Sequence, residues 1–278
     1  MDRIADYQLI KEIGQGNHGR FYLARPPARL PIREDYVAVK LIEGSGTTED
    51  TFRRATRELR AFATVQSPYL VRLFDAGQDR GSFFYAMEYL ALGSLATPAR
   101  ALTRFEKLRA VVHAALAAHG LHESGMVHRD IKPGNILLHA DGARLSDLGL
   151  TQVLSPGLTV TGMGSLGSVQ YTDPAILRGS RASRGTDIWS LGVTLHYALT
   201  GAGVYPSPAA NDALLAVRTV LKGEPHLDER LTPAELAIVQ RCLAPAPTDR
   251  FPTAAALAEQ IDQLAQSAPG PSIPAGRA

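Results

Sequence analysis

His128-Arg129-Asp130-Ile131-Lys132-Pro133-Gly134-Asn135 is the densest run of chemically active side chains in the sequence, and Ser146-Asp147-Leu148-Gly149 follows it closely. Residues 135–138 and 143–146 between them read as two short strands flanking Asp141-Gly142, a dipeptide that favours a two-residue hairpin turn. Isolated Asp and Asn in loops are most often turn formers. The block therefore acquires its meaning from what surrounds it in the chain.

Upstream, the first ninety residues hold short strand-like runs at 7–13, 21–24, 36–42, 70–74 and 83–87, mostly bounded by Gly, Pro or Asp. Phe52, Ala55, Leu59 and Phe62 recur at helical spacing, which predicts one helix packed on that sheet. Three prolines in residues 25–33 mark a surface loop. Downstream, helical periodicity dominates at 105–122, 186–199, 212–221, 233–243 and 253–264. The pattern predicts an α+β chain: a β-rich lobe over about 1–90, an α-helical lobe over about 94–266, and a Pro/Gly-rich tail or linker at 267–278.

Composition narrows the function classes. A chain of 278 residues suits one large domain or two packed lobes, and 45% hydrophobic with 20% charged residues fits neither a disordered polymer nor a fibrous repeat. A net charge of +2 is too small to argue for wrapping nucleic acid or an anionic membrane. Cys242 is the only cysteine, which excludes an intrachain disulfide and Cys-based metal sites and fits a reducing, cytoplasmic setting. No run reaches the roughly 18–20 apolar residues needed to span a bilayer, and the start lacks an apolar signal core. No membrane is expected for this chain.

Gly14-Gln15-Gly16-Asn17-His18-Gly19 follows a strand, and glycines let backbone amides approach phosphate without an intervening Cβ. A dinucleotide-binding unit would need a helix directly afterwards, whereas residues 20–24 read as a second strand, so the context favours a hairpin folded over phosphates. Lys40 ends the apolar strand Val37-Ala38-Val39-Lys40, and Glu58 lies on the predicted helix; an ion pair between them would fix the ammonium to meet phosphate oxygens.

These blocks, with Asp187-Ile188-Trp189-Ser190-Leu191-Gly192, stand in the order found in eukaryotic-type protein kinases, and the chain resembles the bacterial, Hanks-type Ser/Thr kinases over roughly residues 7–265. The resemblance implies a bilobal kinase fold, ATP as phosphoryl donor, Mg²⁺ (with Mn²⁺ as a substitute cation) and protein substrates. It implies that Asp130 takes the acceptor proton, Lys132 neutralises the transferred phosphoryl, and Asn135 and Asp147 bind metal. Gly14, Gly16, Gly19, Phe21, Ala38, Lys40 and Leu137 would surround the nucleotide, with the backbone of Glu88 and Leu90, just after the gatekeeper-like Met87, reading the adenine edge. His128 resembles a packed histidine between Leu148 and Asp187, continued by Phe62 and Leu73. Thr159 and Thr161 match paired activation-loop phosphosites, with Arg129 as phosphate partner and phosphothreonine-reading domains as partners. Ser168 would offer its hydroxyl to Asp130 and Lys132. The resemblance also allows a homodimer through the β-rich lobe.

The chain departs from the family at three places. Ala175 stands where a carboxylate usually pairs with a buried arginine, here Arg250, so Asp173 or water is expected to compensate. Phe21 replaces the usual valine over adenine. Residues 93–103 are short for the helix that follows the hinge and would open one side of the cleft. Two alternatives to an active Ser/Thr kinase follow: a non-catalytic kinase-like scaffold, motivated by Phe21 and Ala175, and a small-molecule phosphotransferase, which normally lacks the glycine loop and the Asp187 motif.

Overall fold

A computed structural model describes residues 3–16, 19–42, 49–148, 166–206 and 212–267. Its first part is an antiparallel sheet in the order β1-β2-β3-β4-β6-β5. The strands are β1 (Arg3–Ile4), β2 (Tyr7–Gly16), β3 (Gly19–Arg25), β4 (Val37–Ile42), β5 (Leu73–Asp79) and β6 (Ser82–Glu88). β4 is buried along its whole length, and the period-two alternation of a strand divides its residues between two cores. Ala38 and Ile42 pack with Ala55, Leu59 and Phe62 of helix α1 (Glu49–Thr64). Val37, Val39 and Leu41 face the opposite way, onto Tyr7 and Phe84. Lys40 shares the face of Ala38 and Ile42, which turns its side chain towards the rest of the molecule.

The proline-rich segment is more than a surface loop, because Leu30 and Ile32 pack against the second core. Arg29 anchors it through Asp6 at 2.6 Å and Asp75 at 2.5 Å, and the Tyr7 hydroxyl donates to Asp75 at 2.8 Å. The strand expected at 70–74 begins at Leu73 and runs on to Asp79, past residues whose types suggested a turn. Gly77 is accommodated there because the Phe84 ring lies where a Cβ would stand, 2.9 Å away. Leu70 instead bridges to Leu145 in the second lobe.

The second part contains α2 (Arg104–Glu123), the hairpin β7 (Ile136–His139) and β8 (Gly142–Leu145), then α3 (Leu166–Val169), α4 (Pro174–Leu177), α5 (Arg184–Thr200), α6 (Ala213–Lys222), α7 (Pro233–Cys242) and α8 (Ala254–Ser267). The fold is bilobal, as expected. Helix α2 opens with a capping box between Thr103 and Glu106, and its buried alanines 110, 114, 115, 117 and 118 allow neighbours to approach closely. Helix α5 is buried over nearly its whole length and forms the axis of the lobe. At its crossing with α7 a Cβ on Gly192 would meet the Cys242 Cβ at 2.3 Å. Cys242 is therefore a packing residue, and burial pushes its thiol far above the ordinary range.

Two local expectations shift. His139 pairs with Gly142, so the turn residues are Ala140-Asp141, one position earlier than expected. Gly142 belongs to the strand, and a Cβ there would stand 2.3 Å from the His113 ring. The segment after the hinge forms no helix and pairs with the hairpin of the second lobe. Leu95 N–H donates to Ile136 O and Leu138 N–H to Gly93 O, both at 2.8 Å, which pins the segment to β7 and places Ser94 and Thr97 along the cleft.

Candidate active site

A cleft of about 860 Å³ runs between the two lobes. Gly14, Phe21, Ala38, Lys40, Met87, Glu88, Leu90 and Leu137 line its upper and rear walls, while Asp130, Lys132, Asn135 and Asp147 face it from the second lobe. These side chains come from strands of one lobe and loops flanking the β7–β8 hairpin of the other, so the lobe arrangement assembles them.

Asp187, in the first turn of α5, organises the loop before the hairpin. Its buried carboxylate accepts from His128 N–H at 2.8 Å, Arg129 N–H at 2.9 Å and His122 Nε2 at 2.8 Å. These bonds hold Arg129 at φ 72°, left-handed backbone that a non-glycine residue adopts at a cost of roughly 1–3 kcal/mol. His122 is a functional support that sequence reading missed, since a histidine inside an alanine-rich helix carries no local signal. His128 is fully buried, accepts from Asp130 N–H at Nδ1 (3.3 Å) and donates from Nε2 to Ser146 O (3.0 Å). Phe62 and Leu148 belong to the large hydrophobic core, and Leu73 packs against it.

Asp130 is the hub of the polar floor. Lys132 Nζ reaches its two carboxylate oxygens at 2.8 and 3.0 Å, and Asn135 Nδ2 donates to its carbonyl at 2.7 Å and its carboxylate at 3.0 Å. Lys132 Nζ also donates to Ser168 Oγ at 2.8 Å, the contact expected for that hydroxyl. This leaves Asp130 an acceptor beside a lysine, a geometry suited to receiving a proton from a hydroxyl.

Lys40 departs from expectation. Its Nζ lies 2.8 Å from Asp147 Oδ2 and is not paired with Glu58, while Glu58 faces Arg129 Nη1 at 3.6 Å. The reason is competition: a buried carboxylate at Asp147 needs a cation more than the half-exposed Glu58 does. Tyr85 donates its hydroxyl to Asp147 Oδ1. Burial alone would raise the Asp147 carboxyl, but the Lys40 ammonium, the Tyr85 hydroxyl and Lys132 outweigh it and hold the group below its ordinary value. Asp147 is thus an anion with φ 59°, beside Asn135 in the cleft. Phe21 sets its ring 4.8 Å from Lys40 Nζ, so it caps the ammonium through its π face.

Other assignments are redistributed. Gly19 is required by the sheet, since a Cβ there would stand 2.0 Å from Leu41 O. Gly14 lines the cleft and Gly19 does not. The Glu88 side chain points away from the cleft's chemistry into ion pairs with Arg144 at 3.1 Å and Arg72 at 3.5 Å. Thr159 and Thr161 lie outside the described residues. Arg250 finds its acceptor in Asp173 at 2.5 Å, with Gly185 O and Ala244 O each at 2.8 Å, so Asp173 replaces the carboxylate missing at Ala175.

His128, His113 and His196 have protonation pKa values lowered by burial. His196 Nε2 accepts from Asp228 N–H at 3.0 Å while Nδ1 donates to Ala202 O at 3.0 Å, so a second proton would face a donor. Because folded values lie below the unfolded value of about 6.5, the unfolded chain binds more protons as pH falls through that value. Their contribution to stability is complete above about pH 6.5 and lost below it. Melting temperature should be level from about pH 7 to 8 and fall below 6.5; a flat profile down to pH 5 by differential scanning fluorimetry would contradict the neutral assignments.

The sequence matches the protein kinase domain family over residues 7–261. It is 33% identical over 265 residues to serine/threonine-protein kinase PknK of Mycobacterium tuberculosis, covering 92% of this chain and 23% of that protein. It is 32% identical over 268 residues to PknD of the same organism, covering 91% and 38%. The chain therefore spans well under half the length of these curated relatives. The crystal structure of the M. tuberculosis PknI kinase domain superposes with a TM-score of 0.67 at 22% identity, covering 94% of this chain and 96% of that one. With the family match spanning most of its length and the same fold as that kinase domain, the chain belongs to the protein kinase domain family.

Proposed function

We propose that the chain is a cytoplasmic Ser/Thr protein kinase that transfers the γ-phosphoryl of ATP to protein hydroxyls in the presence of Mg²⁺. The observation that carries this reading is the Asp130–Lys132–Asn135 cluster facing Asp147 and Lys40 across one cleft. Asp130 accepts the proton of the Ser or Thr hydroxyl as its oxygen bonds to the γ-phosphorus. The bond from that phosphorus to the β-phosphate oxygen breaks, and ADP carries away the electron pair. Lys132 faces the charge on the transferred group, and Lys40 exchanges Asp147 for phosphate oxygens.

Asp147 and Asn135 offer the hard oxygens that Mg²⁺ prefers. Among the described residues no cluster of three or more His, Cys, Asp or Glu side chains could hold a metal, so phosphate oxygens and water would complete the shell. Bound there, Mg²⁺ would neutralise phosphate charge. Arg129, held by Glu58 here, is the cation that a phosphate on Thr159 or Thr161 would claim, releasing Glu58 towards Lys40. Such a phosphothreonine would also suit phosphothreonine-reading partner domains.

The scaffold alternative loses one of its motives, since Asp173 satisfies Arg250. Among the described residues no helix is long and apolar enough to cross a membrane. Incubation with γ-labelled ATP, Mg²⁺ and a generic protein acceptor should give labelled phosphoserine and phosphothreonine after acid hydrolysis. Label found only in phosphotyrosine or in small alcohols would contradict the reading.

A further inference from the structure

Tyr85 is absent from every motif that identifies the site, yet it touches the centre of it. It lies on β6 directly across the strand pair from Lys40, and only 2% of it is exposed. Its hydroxyl donates to Asp147 Oδ1 while Lys40 holds Oδ2 at 2.8 Å. Neighbouring strands therefore satisfy both oxygens of Asp147, which lines the nucleotide cleft with Asp130 and Asn135.

The two donors differ in what they can do when a nucleotide arrives. Lys40 sits on the cleft wall and can exchange Asp147 for phosphate oxygens without being left unpaired. Tyr85 has no such exchange: among the described residues Asp147 is its only hydrogen-bond acceptor, and a buried hydroxyl without an acceptor is costly. Oδ1 is consequently retained by Tyr85, while Oδ2 is the oxygen released when Lys40 turns to phosphate.

We propose that Tyr85 is a positioning residue that withholds one oxygen of Asp147 from the divalent cation, so that the hydroxyl sets how much Mg²⁺ is needed to load the site. The proposal rests on the kinase reading above, and concerns this chain's own control of metal loading. Removing the hydroxyl frees Oδ1 for the cation and should tighten metal binding about ten-fold, the size expected for one hydrogen bond to a charged group.

The test is calorimetric titration of Mg²⁺ into protein saturated with ADP, for the parent, Tyr85→Phe and Tyr85→Met, with ADP affinity in EDTA measured alongside. The expected result is a half-saturating Mg²⁺ concentration about ten-fold lower in both variants, with metal-free ADP affinity within about two-fold of the parent. An unchanged or higher half-saturating concentration in Tyr85→Phe overturns the proposal. So does a shift seen in Tyr85→Met alone, which would assign the effect to ring packing. A parent whose ADP complex shows no saturable Mg²⁺ binding would instead overturn the kinase reading and the proposal with it.

Discussion

Asp130→Asn should lower phosphoryl transfer by about 10²–10⁴-fold, the usual contribution of a positioned general base, while nucleotide affinity stays within a few-fold of the parent. Asparagine keeps the shape of the side chain but cannot take a proton, and its amide would face Lys132 Nζ, which now lies 2.8 and 3.0 Å from the carboxylate oxygens. The loop itself should survive. Its backbone is held by Asp187 through His128 and Arg129 rather than by the Asp130 carboxylate. Steady-state kinetics with calorimetric nucleotide binding separates the two effects; a variant that retains more than a tenth of parental turnover would remove Asp130 from the proton-transfer role.

Asp173→Ala carries the largest expected effect on stability. The Asp173–Arg250 pair is 2.5 Å long and almost wholly buried, and Asp173 also caps α4 by accepting from Ala175 N–H at 2.8 Å. Truncation leaves a buried guanidinium with backbone carbonyls and the Trp189 face but no counter-charge. Breaking a buried pair in this way costs about 3–5 kcal/mol. Arg250→Met added to Asp173→Ala should recover part of that loss, because the uncompensated charge is gone. Denaturant unfolding of both variants checks this; a loss below about 1 kcal/mol in the single variant would show that Asp173 is dispensable to Arg250.

Much of this architecture was legible in residue types and order. The apolar periodicities located the major helices to within a few residues, and the polar blocks around Asp130 and Asp147 located the floor of the cleft. Asp173 was foreseeable because an unpaired buried arginine demands an acceptor nearby. What remained hidden depends on tertiary competition. Whether Lys40 meets Glu58 or Asp147 turns on which carboxylate is more deeply buried, and strand periodicity says nothing about that. Tyr85 and His122 read as ordinary core residues until the fold sets each against a carboxylate. Gly19 reads as a phosphate-loop glycine, whereas its lack of a side chain answers a contact with Leu41 on the adjacent strand.

The most direct test of the account is intact-mass spectrometry of phosphatase-treated protein incubated with Mg²⁺ and ATP, beside Asp130→Asn. Mass increments in units of phosphate in the parent alone, mapping to Thr159 or Thr161, are the predicted result. Equal increments in Asp130→Asn, or none in a parent that binds ATP and is offered protein acceptors, would contradict a kinase whose chemistry runs through Asp130.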